Sequence, residues 1–254
     1  MPTDLGRSFA VTVVAVGMGV TAGCGIGPSD VAEPLADIAT ARVSAENGID
    51  QLEPAAALDA VIDALYDEGS FSVTGAMVRG VVIDITYLVD EGAVGTVGDV
   101  TDDSGPVELV AVDGRIYVTG DEEFLAETVG EDAAKTIAGK WLMLAEDSSR
   151  RFEVLADGRH FTEAVLGGQD GELEMTGVRE VDGTPAVGLL FRETGATLWV
   201  AASGDPVPLR FEEKGASGGS GVLRFVDLGV QVELEVPDED DVVDAESLST
   251  DSDE

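Results

Sequence analysis

From residue 70 onward the apolar residues of this 254-residue chain stop recurring every three to four positions and recur every two. Val81, Ile83, Ile85, Tyr87 and Val89 fall on one side of an extended chain, and Asp84 and Thr86 on the other. Successive side chains of a strand point to opposite faces, so this alternation demands a sheet with one apolar and one wet face. The pattern returns in Leu173/Met175, Val187/Leu189/Phe191, Leu198/Val200, Val207/Leu209/Phe211, Leu223/Phe225 and Val230/Val232/Leu234. Turn signals separate the runs: Asp113-Gly114, Asp182-Gly183, Ser203-Gly204-Asp205 and the glycines of 215–221. The expected class is α+β, with a large curved antiparallel sheet of roughly nine to eleven strands, a half-barrel, wrapped around or covered by helices.

Helical spacing precedes and interrupts the strands. Asp50-Gln-Leu-Glu53-Pro54 combines a capping-box pattern with a helix-start proline, and Leu58, Val61, Ile62 and Leu65 follow before Gly69, so a helix is predicted over 51–67. Two helical inserts are predicted at 121–138, with Phe124, Leu125, Val129, Ala133, Ala134 and Ile137, and at 160–167, with Phe161, Ala164, Val165 and Leu166. A helix is ~10–12 Å across and strands lie ~4.8 Å apart, so one helix cannot cover so wide a sheet. The inserts must close the gap or leave an apolar cavity. The expectation is a cavity lined by Ile83, Ile85, Leu173, Met175, Leu189 and Phe191.

The N-terminus carries a different signal. Cys24 is the only cysteine, and it follows the apolar run Phe9–Ala22 and then Gly23. That run is too short to span a bilayer and suits the core of a secretory signal. Ala22 and Gly23 would admit a peptidase, after which the Cys24 thiol would take a lipid. The expected organisation is a lipoprotein signal peptide at 1–23, a tether with a weak helix at 24–49, a folded domain at 50–237 and an acidic disordered tail at 238–254. A short attached segment is expected near Val242 and Val243. The chain would then sit outside the cytoplasm, anchored to the outer face of the cell membrane. Thr21 stands where Leu or Val is usual, and Arg7 is the only base ahead of the apolar run. A single cysteine excludes an intrachain disulfide and a multi-cysteine metal site.

Charge narrows the partners. Fifty-one acids face 14 bases, for a formal net charge of -37. Phosphate binding needs clustered Lys and Arg, so nucleic acid is excluded, and so is docking on anionic headgroups by a basic patch. The lipid would do the anchoring. An acidic excess with only three lysines fits a solvated surface adapted to high salt. The chain is expected to be a monomer.

Candidates for catalysis fail on context. Gly215-Ala-Ser217-Gly-Gly219 matches G-x-S-x-G, but a nucleophile elbow needs strand, turn and helix, whereas here a glycine loop leads into a strand. His160, the only histidine, precedes Ser217, contrary to hydrolase order. Asp99–Asp103 departs from the calcium-loop pattern at Thr101 and Ser104, and Asp238–Asp241 reads as solvated surface. Trp141 and Trp199 read as sheet packing, with cavity lining as the alternative. No catalytic residue, metal or cofactor is implied.

Certain stretches carry a resemblance. They are Phe71-Ser-Val-Thr-Gly75, Val110-Ala-Val-Asp-Gly-Arg-Ile-Tyr-Val-Thr-Gly120, Lys140-Trp141, Leu173-Glu-Met-Thr-Gly177 with Val181-Asp-Gly-Thr-Pro-Ala186, and Thr197-Leu-Trp-Val-Ala201 with Pro206-Val-Pro-Leu-Arg210. Together with Cys24 they resemble, over about residues 50–237, actinobacterial lipoproteins of the LppX/LprAFG type, which are similar in architecture to the lipoprotein carriers LolA and LolB. The resemblance implies an open curved sheet around a helix, and a lipid or glycolipid ligand. Two functions stand open: a carrier of a hydrophobic molecule, and an anchored interaction or sensory domain with a filled core.

Overall fold

The computed structural model describes residues 45–90, 93–145, 149–167, 171–215 and 219–250. Helix α1 (Pro54–Asp67) follows a short 3-10 turn at Ile49–Gln51. Its proline sits in the first turn as expected, but Glu53 is the N-cap and makes no side-chain cap. Its buried side is Ala57, Val61 and Leu65, one residue every four, with Leu58 and Ile62 at the flanks.

Among the described residues thirteen strands form one open sheet. In chain order they are β1 (Ser70–Ala76), β2 (Val82–Asp90), β3 (Ala93–Asp102), β4 (Gly105–Val112), β5 (Arg115–Gly120), β6 (Trp141–Met143), β7 (Leu173–Met175), β8 (Arg179–Val181), β9 (Thr184–Phe191), β10 (Thr197–Ala201), β11 (Pro208–Lys214), β12 (Ser220–Val226) and β13 (Val242–Asp244). The spatial order is β13-β6-β5-β4-β3-β2-β1-β12-β11-β10-β9-β7, with β8 also on β9. All pairs are antiparallel except β13 on β6. The turn chemistry explains the tight hairpins. Asp113 and Gly114 have φ of 51° and 75°, and Asp182 and Gly183 have 49° and 85°, which makes both of them type I′ turns that match strand twist.

Pairing register fixes two opposed rows. The inner row runs Met175–Leu189–Leu198–Phe211–Leu223–Gly75–Ile83–Val100–Val107 across nine strands. The outer row, one residue along, runs Trp199–Arg210–Arg224–Thr74–Asp84–Asp99–Glu108–Thr119.

Helices cover the inner face in two places. Over β1, β2 and β9–β12, α1 packs beside α5 (Gly158–Thr162) and a π-helical turn at Glu163–Gly167, which contribute Phe161, Val165 and Leu166. Over β4–β6, α2 (Glu122–Val129) and α3 (Glu131–Ile137) bring Phe124, Leu125, Ala134 and Ile137 to a second cluster. Leu155, on α4 (Glu153–Ala156), touches both clusters.

The C-terminal part departs from the sequence expectation twice. Val230, Val232 and Leu234 alternate but form no strand. After β12 the chain runs extended across the outer face. Gly229 N–H donates to Ser70 O at 2.9 Å, Ser70 Oγ donates to Val230 O at 2.6 Å, and Leu234 sits over Gly95 of β3. Period-two burial here reports contact with a surface, not hydrogen bonding to a neighbouring strand. The segment then pairs as β13 on the far edge and continues into α6 (Ala245–Thr250), placing Ala245, Val243 and Leu248 in the second cluster. The attached segment expected near Val242 and Val243 is β13, and the chain continues as a helix as far as 250 where a disordered tail was expected. Apolar contacts outweigh an acidic composition.

Candidate functional site

The six residues expected to line a cavity do share the inner face. Leu173 pairs with Phe191 and Met175 with Leu189, while Ile83 and Ile85 lie on β2, beyond β10, β11, β12 and β1. All six belong to, or pack against, one apolar cluster with α1. Ile85 and Leu189 are 0% exposed, Ile83 1% and Phe191 2%. Rings fill the space around them. Phe191 and Phe211 meet edge to face at 6.1 Å, and Tyr87 lies between Phe71 at 5.1 Å and Phe161 at 5.2 Å. The cover is wider than one helix, because α5 and the π turn sit beside α1. Cys24 and Ser217 lie outside the described residues.

Two clefts lie at opposite ends of the sheet. At one end a cleft of about 340 Å³ is formed by the β1–β2 turn (Met77, Val78, Arg79, Val81), the β9–β10 turn (Thr194, Ala196) and the end of β11 (Glu213, Lys214). The turn is held by Met77 N–H to Val81 O at 2.8 Å and Gly80 N–H to Met77 O at 2.9 Å. Gly215 and Gly221 are explained here. A Cβ on Gly221 would fall 2.6 Å from Val78 N, and one on Gly215 2.7 Å from Val78 Cγ1, so the turn packs directly on glycine backbone. Sequence reasoning missed this cleft. The available signal was an apolar Met77-Val78 pair in a turn position, where polar residues are the rule.

At the other end a groove of about 540 Å³ runs between the β4–β5 hairpin and α4–α5. Its apolar floor includes Val94, Ala111 and Ile116, and its charged rim Asp113, Arg115, Glu153, Asp157 and His160. Asp157 is committed to capping α5, accepting the Arg159 and His160 backbone N–H at 2.8 and 2.9 Å. Among the described residues no serine, threonine or cysteine lines the groove, so His160 has no nucleophile beside it there.

Electrostatics elsewhere serve packing. Burial, with a smaller contribution from Asp157, pushes the Tyr87 hydroxyl well above its ordinary 10.0. Burial also raises Tyr66, against the opposing pull of Thr162 and Arg159. At Asp102 burial is outweighed by hydrogen bonds from Arg151 and Ser104, so its carboxyl is held below the ordinary 3.8. Trp199 lies on the outer face with Val181, Ala186 and Leu209, under the Arg179 guanidinium at 3.4 Å. Trp141 sits on β6 opposite Val242. Among the described residues no group of three or more acids, histidines or cysteines is placed to hold a metal ion, and no helix is long and apolar enough to cross a membrane.

No protein-family model matches the chain, and no curated protein matches it. Among solved structures, a crystal structure of an uncharacterized conserved protein from Thermus thermophilus aligns over 73% of this chain and 98% of its own, at 12% identity and a TM-score of 0.40. That likeness is too distant to bear on function.

Proposed function

We propose that this chain is a membrane-anchored extracytoplasmic lipoprotein, lipidated at Cys24, that binds or shuttles a hydrophobic ligand in the cell envelope without acting as an enzyme. The observation that supports it is the apolar cleft of about 340 Å³ at the sheet end, walled by Met77, Val78, Val81 and Ala196. Met77 and Val81 also pack against the main core, so the wall continues into the interior. Ligand pockets run from about 300 to 1,000 Å³, and this one lies at the small end, fit for part of a lipid. The test is native mass spectrometry of the protein isolated from its own membranes, with fluorescent-lipid uptake in parallel. A noncovalent lipid adduct and saturable uptake are expected. A spectrum free of adducts together with no uptake would overturn the reading.

A second reading is favoured by the filled core. Ile83, Ile85, Leu189 and Phe191 occupy the space a carrier would keep empty. In that case the domain presents its surface to a partner protein, and capture of a defined partner by a lipid-free chain would support it.

A further inference from the structure

We propose that the cleft at the β1–β2 turn selects a single aliphatic chain ending in a carboxylate, the chemistry of a long-chain fatty acid, and that Arg79 and Lys214 hold the head group. This rests on the reading of that cleft as the ligand site.

The first observation is charge against its background. In a chain with 51 acids and 14 bases, a cation has no shortage of carboxylates to pair with. Arg151, Arg179, Arg192 and Arg224 each take one, and Arg210 takes two. Arg79 and Lys214, both exposed and both lining the cleft, make no ion pair among the described residues. Arg115, Lys140 and Arg159 likewise make none among them, but Arg115 shares its groove with Asp113, Glu153 and Asp157, Lys140 donates to Asp240 O at 3.4 Å, and Arg159 donates to Val89 O at 3.2 Å and lies over the Tyr66 ring. The one acid lining the cleft among the described residues, Glu213, accepts the Val78 N–H at 3.2 Å and is tied to the turn backbone. The cleft therefore offers two cations and one backbone-held carboxylate beside an apolar wall, a net positive charge in a strongly negative chain.

The second observation is size and lining. A volume near 340 Å³ suits one chain and not several, and Met77, Val78, Val81 and Ala196 supply the apolar contact. Burial of the chain provides affinity, and a guanidinium and an ammonium suit a carboxylate by charge-assisted hydrogen bonds.

The bulk charge sharpens the claim. A net charge of -37 attracts cationic amphiphiles and repels anionic ones everywhere else on this surface. A preference for an anion is the reverse of what non-specific electrostatics gives.

The experiment is equilibrium dialysis of the full chain against labelled laurate, dodecanol and dodecyltrimethylammonium, all below micelle formation. Uptake by the apolar run Phe9–Ala22 is common to every variant and cancels in comparison. Laurate should bind about tenfold tighter than dodecanol, and the double variant Arg79→Gln/Lys214→Gln should erase that ratio while leaving dodecanol unchanged. Both side chains are exposed, so an unchanged melting temperature checks the fold. Val81→Trp, which fills the cleft, should weaken laurate and dodecanol together. If Val81→Trp lowers both but the charge variant keeps the laurate preference, the head-group inference falls and the ligand site stands. If Val81→Trp changes neither, the ligand site falls and the inference with it. Equal binding of laurate and dodecanol to the parent overturns the inference directly, and so does a Val81→Trp-sensitive share of cation binding that is tighter than that of laurate.

Discussion

Asp99→Asn should stabilise this protein at low salt and do almost nothing at high salt. Asp99 sits in the outer row with Asp84 on one neighbouring strand and Glu108 on the other, all three exposed. Direct cross-strand neighbours have Cβ atoms ~5 Å apart, which sets the carboxylates about 6 Å apart, and like charges so placed destabilise. In water each such pair costs about 0.7 kcal/mol, so Asp99 carries roughly 1.4 kcal/mol of repulsion before screening. Debye lengths of about 30, 8 and 3 Å at 0.01, 0.15 and 1 M salt reduce it to roughly 1.1, 0.7 and 0.2 kcal/mol. A melting temperature moves about 2–4 °C per kcal/mol for a domain of this size, so Asp99→Asn should gain about 3 °C at 0.01 M and under about 1 °C at 1 M. The assay is thermal denaturation of parent and variant across a NaCl series, in which the parent itself should rise with salt. A variant no more stable than the parent at low salt, or a gain that persists at 1 M, would refute the cross-strand account.

Further outcomes are expected. Cys24→Ala should release the protein from membranes or block its processing, read by fractionation; unchanged association and processing would remove the anchor. Gly158→Ala should destabilise by about 1–3 kcal/mol through overpacking, because its Cβ would lie 2.8 Å from Val89 Cγ1 and 2.9 Å from Tyr87 Cβ; a neutral effect in urea unfolding would contradict that contact. Tyr87→Phe should leave stability unchanged or raise it by about 1 kcal/mol, because the buried Tyr87 hydroxyl has no hydrogen-bond partner among the described residues. It should also flatten alkaline unfolding. The folded hydroxyl keeps its proton above the ordinary 10.0, so its contribution is whole below that pH and is lost as pH rises beyond it, which parent and variant melts from neutral to alkaline pH would show or deny.

Much of the fold was legible because it rests on local rules. The alternation of Ile83, Ile85, Tyr87 and Val89 became the buried side of β2, and the Asp-Gly pairs became type I′ turns. Phe124, Leu125 and Ile137 marked buried helical faces as expected. What failed depends on distant parts of the chain. Val230–Leu234 has strand periodicity, but whether an extended segment joins a sheet or crosses it depends on which strands already occupy β12's neighbouring positions, here β1 and β11. The cavity expectation failed for a similar reason. It weighed the width of α1 and could not see that Gly158 lets α5 press against Tyr87 alongside it. The cleft near Arg79 was missed because two turns and the end of β11, far apart in sequence, build it, and the apolar Met77-Val78 pair alone does not name its other walls.

The C-terminal segment shows why composition misled. Its acids argue for a solvated, detached tail, and in charge alone they repel an outer face that already carries Asp84, Asp99 and Glu108. Yet charge and attachment are set by different atoms. The acids at 233, 235 and 238–241 point outward or stand at the rim, while Val232 and Leu234 are half-buried between them. Ser72 and Thr86, outward-facing polar residues under the strap, satisfy each other at 2.8 Å, so covering them leaves neither hydroxyl unpaired. The strap therefore costs no unmet hydrogen bond at that crossing and adds Ala245, Val243 and Leu248 to the second cluster. By running from β12 to the edge of β6 it ties the two apolar clusters together on the outside, where on the inside they meet through Leu155. Salt would strengthen that tie, because it screens the repulsion and leaves the apolar contacts intact.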